Sequence, residues 1–164
     1  MNNQIILLNG PSSSGKSTLA RNLQALIGEK HRLCYEVISI DDFMKIATNE
    51  TIYEDDVYEI NEELCTTARK ELETADGIII DHVITSERIY QQLRDMLRDY
   101  PIRTVRVTCP LEILRKRETD RGDRCPGSAE ASLTYLYPKD AYDLTVDTHE
   151  FTSLECAEII HSML

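Results

Sequence analysis

Apolar residues follow two rhythms along this chain, and the rhythms alternate. Ile5-Ile6-Leu7-Leu8 is an unbroken apolar run ending at Asn9-Gly10, the pattern of a strand buried on both faces. Leu19, Leu23, Leu26 and Ile27 then recur at helical spacing and stop near Gly28. Tyr35 to Ile40 reads as a second strand, closed by Asp41-Asp42. Val57, Ile60, Leu64, Ala68 and Leu72 predict a second helix running to about Ala75. Gly77 breaks it before a third buried strand, Ile78-Ile79-Ile80-Asp81. Ile89, Leu93, Met96 and Leu97 mark a further helix stopped by Pro101. Thr104 to Cys109 reads as a fourth strand, and Pro110 opens a helix carrying Leu111 and Leu114. Leu144 to Val146 predicts a last short strand, and Cys156, Ile159, Ile160 and Met163 a closing helix. This alternation predicts an α/β fold: a parallel sheet of about five strands with helices on both faces. Such sheets bind ligands at the carboxyl ends of their strands, which directs attention to the residues just after each one.

Thr119 to Asp140 breaks the rhythm. It is polar, holds Gly122, Pro126, Gly127 and Pro138, and lacks a long apolar stripe, so it reads as a mobile lid rather than core. The length of 164 residues fits one domain, and 41% apolar residues excludes a disordered chain. Eighteen basic against 29 acidic residues give a net charge of −11, the wrong sign for a nucleic acid or an acidic membrane as main partner. Any anionic ligand must be held by a local site working against that field. The apolar runs are too short to cross a bilayer, and no signal-peptide pattern opens the chain. The five cysteines are widely spaced without a Cys-x-x-Cys pair and read as free or buried thiols, so a cytoplasmic location is expected.

Gly10-Pro11-Ser12-Ser13-Ser14-Gly15-Lys16-Ser17 matches G-x-x-x-x-G-K-[ST] at every fixed position, between a predicted strand and a predicted helix. Glycines let the backbone curl so that successive amides point at phosphate oxygens, with Thr18 the last of the candidate nucleotide-binding residues, and the following helix adds its positive end. Lys16 would reach the terminal phosphates and the Ser17 hydroxyl a Mg²⁺ ion, which makes Mg·ATP the expected cofactor. The Asn-Lys-x-Asp motif of GTPase switches is absent, and strand-end Asp81 is followed by His82 rather than by the Glu of many hydrolytic ATPases. A kinase instead needs a carboxylate to deprotonate an acceptor hydroxyl, together with arginines that close over the transferred group.

Asp41, at the end of the second strand, is the candidate base; the competing reading makes it a helix cap. Asp81 is a candidate for the metal's water shell. His82 could face the substrate or fill space, and its spacing leaves both open. Arg117, Arg121 and Arg124 are lid candidates for binding phosphate; their alternative is a solvated helix with ion pairs such as Asp120 with Arg117 or Arg124. Between Glu50 and Glu63 lie seven carboxylates and no basic residue, read mainly as a solvated helix face and secondarily as a wall of the acceptor pocket with Tyr53 and Tyr58. His31, His149 and His161 show no metal-ligand spacing and read as surface residues.

Residues 6–17, Asp41, Ile78 to Asp81, Arg-Glu-Thr-Asp-Arg-Gly-Asp-Arg at 117–124, and Tyr-Asp-Leu-Thr-Val-Asp-Thr at 142–148 with Leu-Glu-Cys-Ala at 154–157 together resemble chloramphenicol phosphotransferase-like proteins. The resemblance runs in order along nearly the whole chain, and it departs at His82, where the family pattern carries a second Asp. It implies a three-layer, nucleoside-monophosphate-kinase-like P-loop fold and ATP-dependent phosphorylation of a hydroxyl on a small molecule. It implies Asp41 as base, Lys16 and Ser17 as phosphate and magnesium groups, and Arg117, Arg121 and Arg124 as lid positions. A nucleoside or nucleotide kinase and a regulatory ATPase are the alternatives; the acceptor and the oligomeric state stay open.

Overall fold

The computed structural model describes residues 3–44 and 52–164. Five parallel strands lie in the order β2-β3-β1-β4-β5: β1 (Gln4–Asn9), β2 (Tyr35–Ser39), β3 (Gly77–His82), β4 (Ile102–Thr108) and β5 (Leu144–Asp147). Among the described residues six helices connect and cover them: α1 (Lys16–His31), α2 (Glu54–Glu71), α3 (Glu87–Met96), α4 (Leu111–Arg121), α5 (Ser128–Tyr135) and α6 (Ser153–His161).

The period-2 geometry of β1 sends alternate side chains to two cores. Ile5 and Leu7 join Ile78 and Ile80 under Leu64 and Ala68 of α2 and Ile89 and Leu93 of α3. Ile6 and Leu8 join Ile79, Val105 and Val107 under Leu19 and Leu23 of α1 and Cys156 and Ile160 of α6. Each such burial is worth about 1.5–3 kcal/mol, and β1 contributes four of them with no accessible surface. Burial on both faces explains why the strand reads as a continuous apolar run rather than as an alternation.

Register then determines what stands at the carboxyl edge. Asn9 aligns with His82 on one side and Arg106 on the other, Ser39 with Asp81, and Thr108 with Asp147. The Asn9 side chain ties the loops behind this edge: its Nδ2 donates to the Tyr137 carbonyl at 2.9 Å and Tyr142 Oη at 3.0 Å, and its Oδ1 accepts from the Ile84 amide at 2.9 Å.

Two expectations change. The second strand ends at Ser39, and Ile40–Asp42 forms a 3₁₀ turn in which the Ser39 hydroxyl accepts from the Asp41 amide. The 119–140 segment is not simply an excursion outside the core. Its helix α5 buries Ala129 against Cys109 and Leu114, and the Glu118 carboxylate accepts from the Gly127 and Ala129 amides at 3.1 and 2.8 Å. Periodicity misses such a helix because its buried residues are Ala129 and Ser132, too small and polar to form a stripe. Among the described residues no helix is long and apolar enough to cross a membrane.

Gly10 is required by packing before any ligand arrives. A Cβ there would overlap the Val107 carbonyl of β4. Gly10→Ala is therefore expected to lower unfolding free energy by about 1–3 kcal/mol in urea titration without ligand; an unchanged midpoint would assign this glycine to ligand binding alone.

Candidate active site

The loop from Gly10 to Ser17 leads straight into α1, whose N-cap is Gly15 in the left-handed region (φ 88°). Neither a side-chain cap nor an acidic residue occupies the first turn, so the helix presents its free amides to the cavity. The other well-capped helices show the contrast: Thr152 and Glu155 form a capping box on α6, and Ser86 caps α3. Lys16 folds back over the loop and donates to the Pro11 carbonyl at 2.8 Å and to Ser14 Oγ at 3.3 Å. Burial pushes its ammonium down to about 8, although the Asp81 and Asp41 carboxylates pull the other way. Ser13 Oγ is buried and has no hydrogen-bond partner among the described residues. An amide cradle, a buried ammonium and an orphaned hydroxyl fit the oxygens of a triphosphate.

Ser17 Oγ donates to Asp81 Oδ2 at 2.6 Å, and Ser39 Oγ donates to the same oxygen at 3.3 Å. One hydroxyl and one carboxylate at that separation fit the oxygen donor set of Mg²⁺, which takes few protein ligands and keeps several waters. Asp41 stands at the same edge, and its Oδ2 accepts from Arg124 Nη2 at 2.7 Å. Arg117 reaches Thr148 rather than Asp120, donating to its Oγ1 and carbonyl, each at 3.0 Å; the Thr148 hydroxyl in turn donates to the Ser14 carbonyl at 2.6 Å. Arg121 pairs with Asp123 at 3.1 Å.

A cavity of about 1050 Å³ opens on this edge. Ser12, Ser13, Gly15, Lys16, Ser17 and Thr18 line one half with Arg117, Arg121 and Arg124. Asp41, paired with Arg124, and Asp81, bonded to Ser17, line the cavity as well. The other half is built from Ile40, Met44, Ile52, Val57, Val83 and Ile89, with Tyr53, Glu54 and His82. Of the sequence candidates, Gly10, Pro11 and Ser14 do not line the cavity. Gly10 packs on β4, while Pro11 and Ser14 hold Lys16.

The acidic stretch divides accordingly. Glu50 lies outside the described residues, Tyr53 and Glu54 face the cavity, and Glu59, Glu62 and Glu63 are exposed. Arg88 pairs with Glu54 and Asp55 and covers the Tyr58 ring. His31 and His161 stack with their Nε2 atoms 2.8 Å apart, a pairing hidden by 130 residues of separation.

Sequence reasoning gave Thr148 and Ser132 no role. Ser132 Oγ accepts from the Ser12 amide at 2.9 Å and so joins α5 to the cradle. Thr148 lay within a segment that carried the family resemblance, which was the available signal; Ser132 had none.

A family model described as chloramphenicol phosphotransferase-like protein matches residues 3–164. The chain belongs to this family. A search of curated proteins finds no match. Among solved structures, the chloramphenicol phosphotransferase-like chain is similar to the APS kinase of Mycobacterium tuberculosis in complex with AMPPNP and APS (17% identity, 99% of this chain and 97% of that one, TM-score 0.76). It is also similar to a gluconokinase from Sinorhizobium meliloti 1021 (17% identity, coverage 99% and 95%, TM-score 0.68) and to shikimate kinase from Acinetobacter baumannii in complex with shikimate (16%, 97% and 91%, 0.65). At these identities the likeness shows the fold, a P-loop kinase fold. Fold and family together support a kinase-type phosphotransferase that binds nucleotide.

The ammonium of Lys16 should titrate near pH 8 in the ligand-free protein, followed by NMR of labelled lysine side chains. Asp81→Asn removes a carboxylate that holds the proton on, so the midpoint should fall below 8. A midpoint near the ordinary lysine value would show that the side chain is not buried in the loop.

Proposed function

We propose that this protein moves the γ-phosphate of Mg·ATP to a hydroxyl of a small, uncharged acceptor with an apolar body. The observation that carries the reading is that Asp41 lines the same cavity as Lys16 and the loop and accepts from Arg124. There its carboxylate can accept the acceptor's proton while the hydroxyl oxygen bonds to the γ-phosphorus and the bond to the β-phosphate oxygen breaks, leaving ADP. Loop amides and Lys16 hold the phosphates in line and meet the charge that develops on them. Ser17 and Asp81 would hold Mg²⁺, which when bound neutralises charge across the terminal phosphates. Arg124, resting on Asp41, and Arg121 would turn to the phosphoryl group as the 119–140 segment closes, freeing the base and excluding water. Arg117, braced by Thr148, would border the nucleotide.

Among the described residues the cations lining the cavity all belong to the loop, α4 or the segment after it. Among the apolar lining residues Glu54 is already paired with Arg88, and no further described cation lines the cavity there to receive a phosphate, which favours an uncharged hydroxyl compound over a nucleoside monophosphate as acceptor.

ADP release should therefore depend on an added acceptor when neutral hydroxyl compounds are screened; release that ignores them all would make the protein an ATPase. Asp41→Asn should lower turnover by roughly 10²-fold or more and change AMPPNP affinity little. Unchanged turnover would remove Asp41 from the role. Affinity should also weaken above pH 8. There Lys16 loses its proton in the free protein and must regain it to meet the triphosphate, so Kd should rise by up to about tenfold per pH unit. Calorimetry with Mg·AMPPNP in buffers of different ionisation enthalpy should register the matching proton uptake.

A further inference from the structure

His82 ends β3 with no accessible surface and lines the cavity. A chain of hydrogen bonds determines which of its nitrogens carries the proton. The Tyr58 backbone carbonyl can only accept, so Gln92 must present its NH₂ group there, at 3.0 Å. Gln92 Oε1 is then left to accept from Asn61 Nδ2 at 2.7 Å, and the same Asn61 nitrogen donates to the Ile89 carbonyl at 3.4 Å. Asn61 Oδ1 therefore accepts from His82 Nε2–H at 3.0 Å. One ring nitrogen of a neutral imidazole is a donor and the other an acceptor, which leaves Nδ1 with a bare lone pair. That atom is buried and has no partner among the described residues. Full burial, with no carboxylate among the described residues in hydrogen-bond contact, keeps the ring neutral.

Asn61, Gln92 and His82 are all buried, and the polar chain they form ends on His82, a cavity-lining residue whose Nδ1 has no partner among the described residues. A buried acceptor left dry costs free energy, and a ligand that donates to it recovers that cost. We infer that His82 Nδ1 reads the acceptor substrate, accepting a hydrogen bond from a second donor, a neighbouring hydroxyl or an amide N–H, on the molecule whose hydroxyl Asp41 deprotonates. The inference rests on the kinase reading and narrows its substrate class to compounds carrying two donors, one to be phosphorylated and one to be recognised.

Two substitutions separate recognition from structural support. His82→Gln keeps a side-chain N–H in reach of Asn61 and removes the acceptor at the Nδ1 position; His82→Asn does the reverse. Steady-state kinetics use the first compound that drives ADP release from a panel of neutral diols and amino alcohols, chloramphenicol among them, and its analogue methylated on the second donor. The wild type should prefer the donor-bearing compound by about tenfold in kcat/KM. His82→Gln should melt within a few degrees of wild type, bind AMPPNP normally and lose that preference through a higher KM. His82→Asn should melt earlier and keep it. ¹⁵N-histidine NMR at pH 7, assigned by difference with His82→Gln, should show the proton on Nε2. Equal KM for wild type and His82→Gln, or a proton on Nδ1, would overturn the inference and leave the kinase reading standing. Wild type that turns over no panel compound would overturn both.

Discussion

Everything at the carboxyl edge is arranged around one buried ammonium. Lys16 retains its place because the Pro11 carbonyl and Ser14 hydroxyl bind it and two carboxylates, on Asp81 and Asp41, stand nearby. Burying a charge is costly unless it is partnered, and here the partnership is incomplete enough to lower its proton affinity. A chain with a net charge of −11 can in this way gather positive groups locally: an ammonium, free helix amides and three arginines line one cavity.

The sheet is what makes that convergence possible. β1 is flanked in parallel by β3 and β4, so the loops leaving three neighbouring strands emerge at one level. Asn9 then braces two of the flanking loops with three hydrogen bonds from a fully buried side chain. Similar sheets at 15–17% identity occur in proteins named APS kinase, gluconokinase and shikimate kinase, which agrees with a division in which the scaffold sets positions and the loops set chemistry.

The cavity lining is divided by charge. Cations collect on the loop, α4 and the segment following it, while α2 and α3 contribute apolar side chains and Glu54 to the far half. The Asp41–Arg124 contact links the candidate base to the proposed lid. An arginine placed there can exchange one anionic partner for another without being left unpaired, so closure would trade a carboxylate for a phosphate.

The amino-acid sequence by itself determined the elements with a strong local signal. Doubly buried strands such as Ile5 to Leu8 and Ile78 to Ile80 read directly, as did helical stripes such as Leu19 to Ile27, because burial and period are properties of neighbours in the chain. The loop at Gly10 to Ser17 was equally legible, since its backbone demands leave a mark in residue type, although the contact of Gly10 with Val107 was not. Tertiary structure alone decided the pairings across long separations: Arg124 with Asp41, Thr148 between Arg117 and Ser14, Ser132 on the cradle, and the chain from Tyr58 to His82. Helix α5 stayed hidden for a related reason, as its stability comes from Glu118 and a small contact with Leu114 rather than from a stripe of its own. A hydrogen bond between distant residues depends on where strands are placed side by side, and nothing in the local order of side chains records that placement.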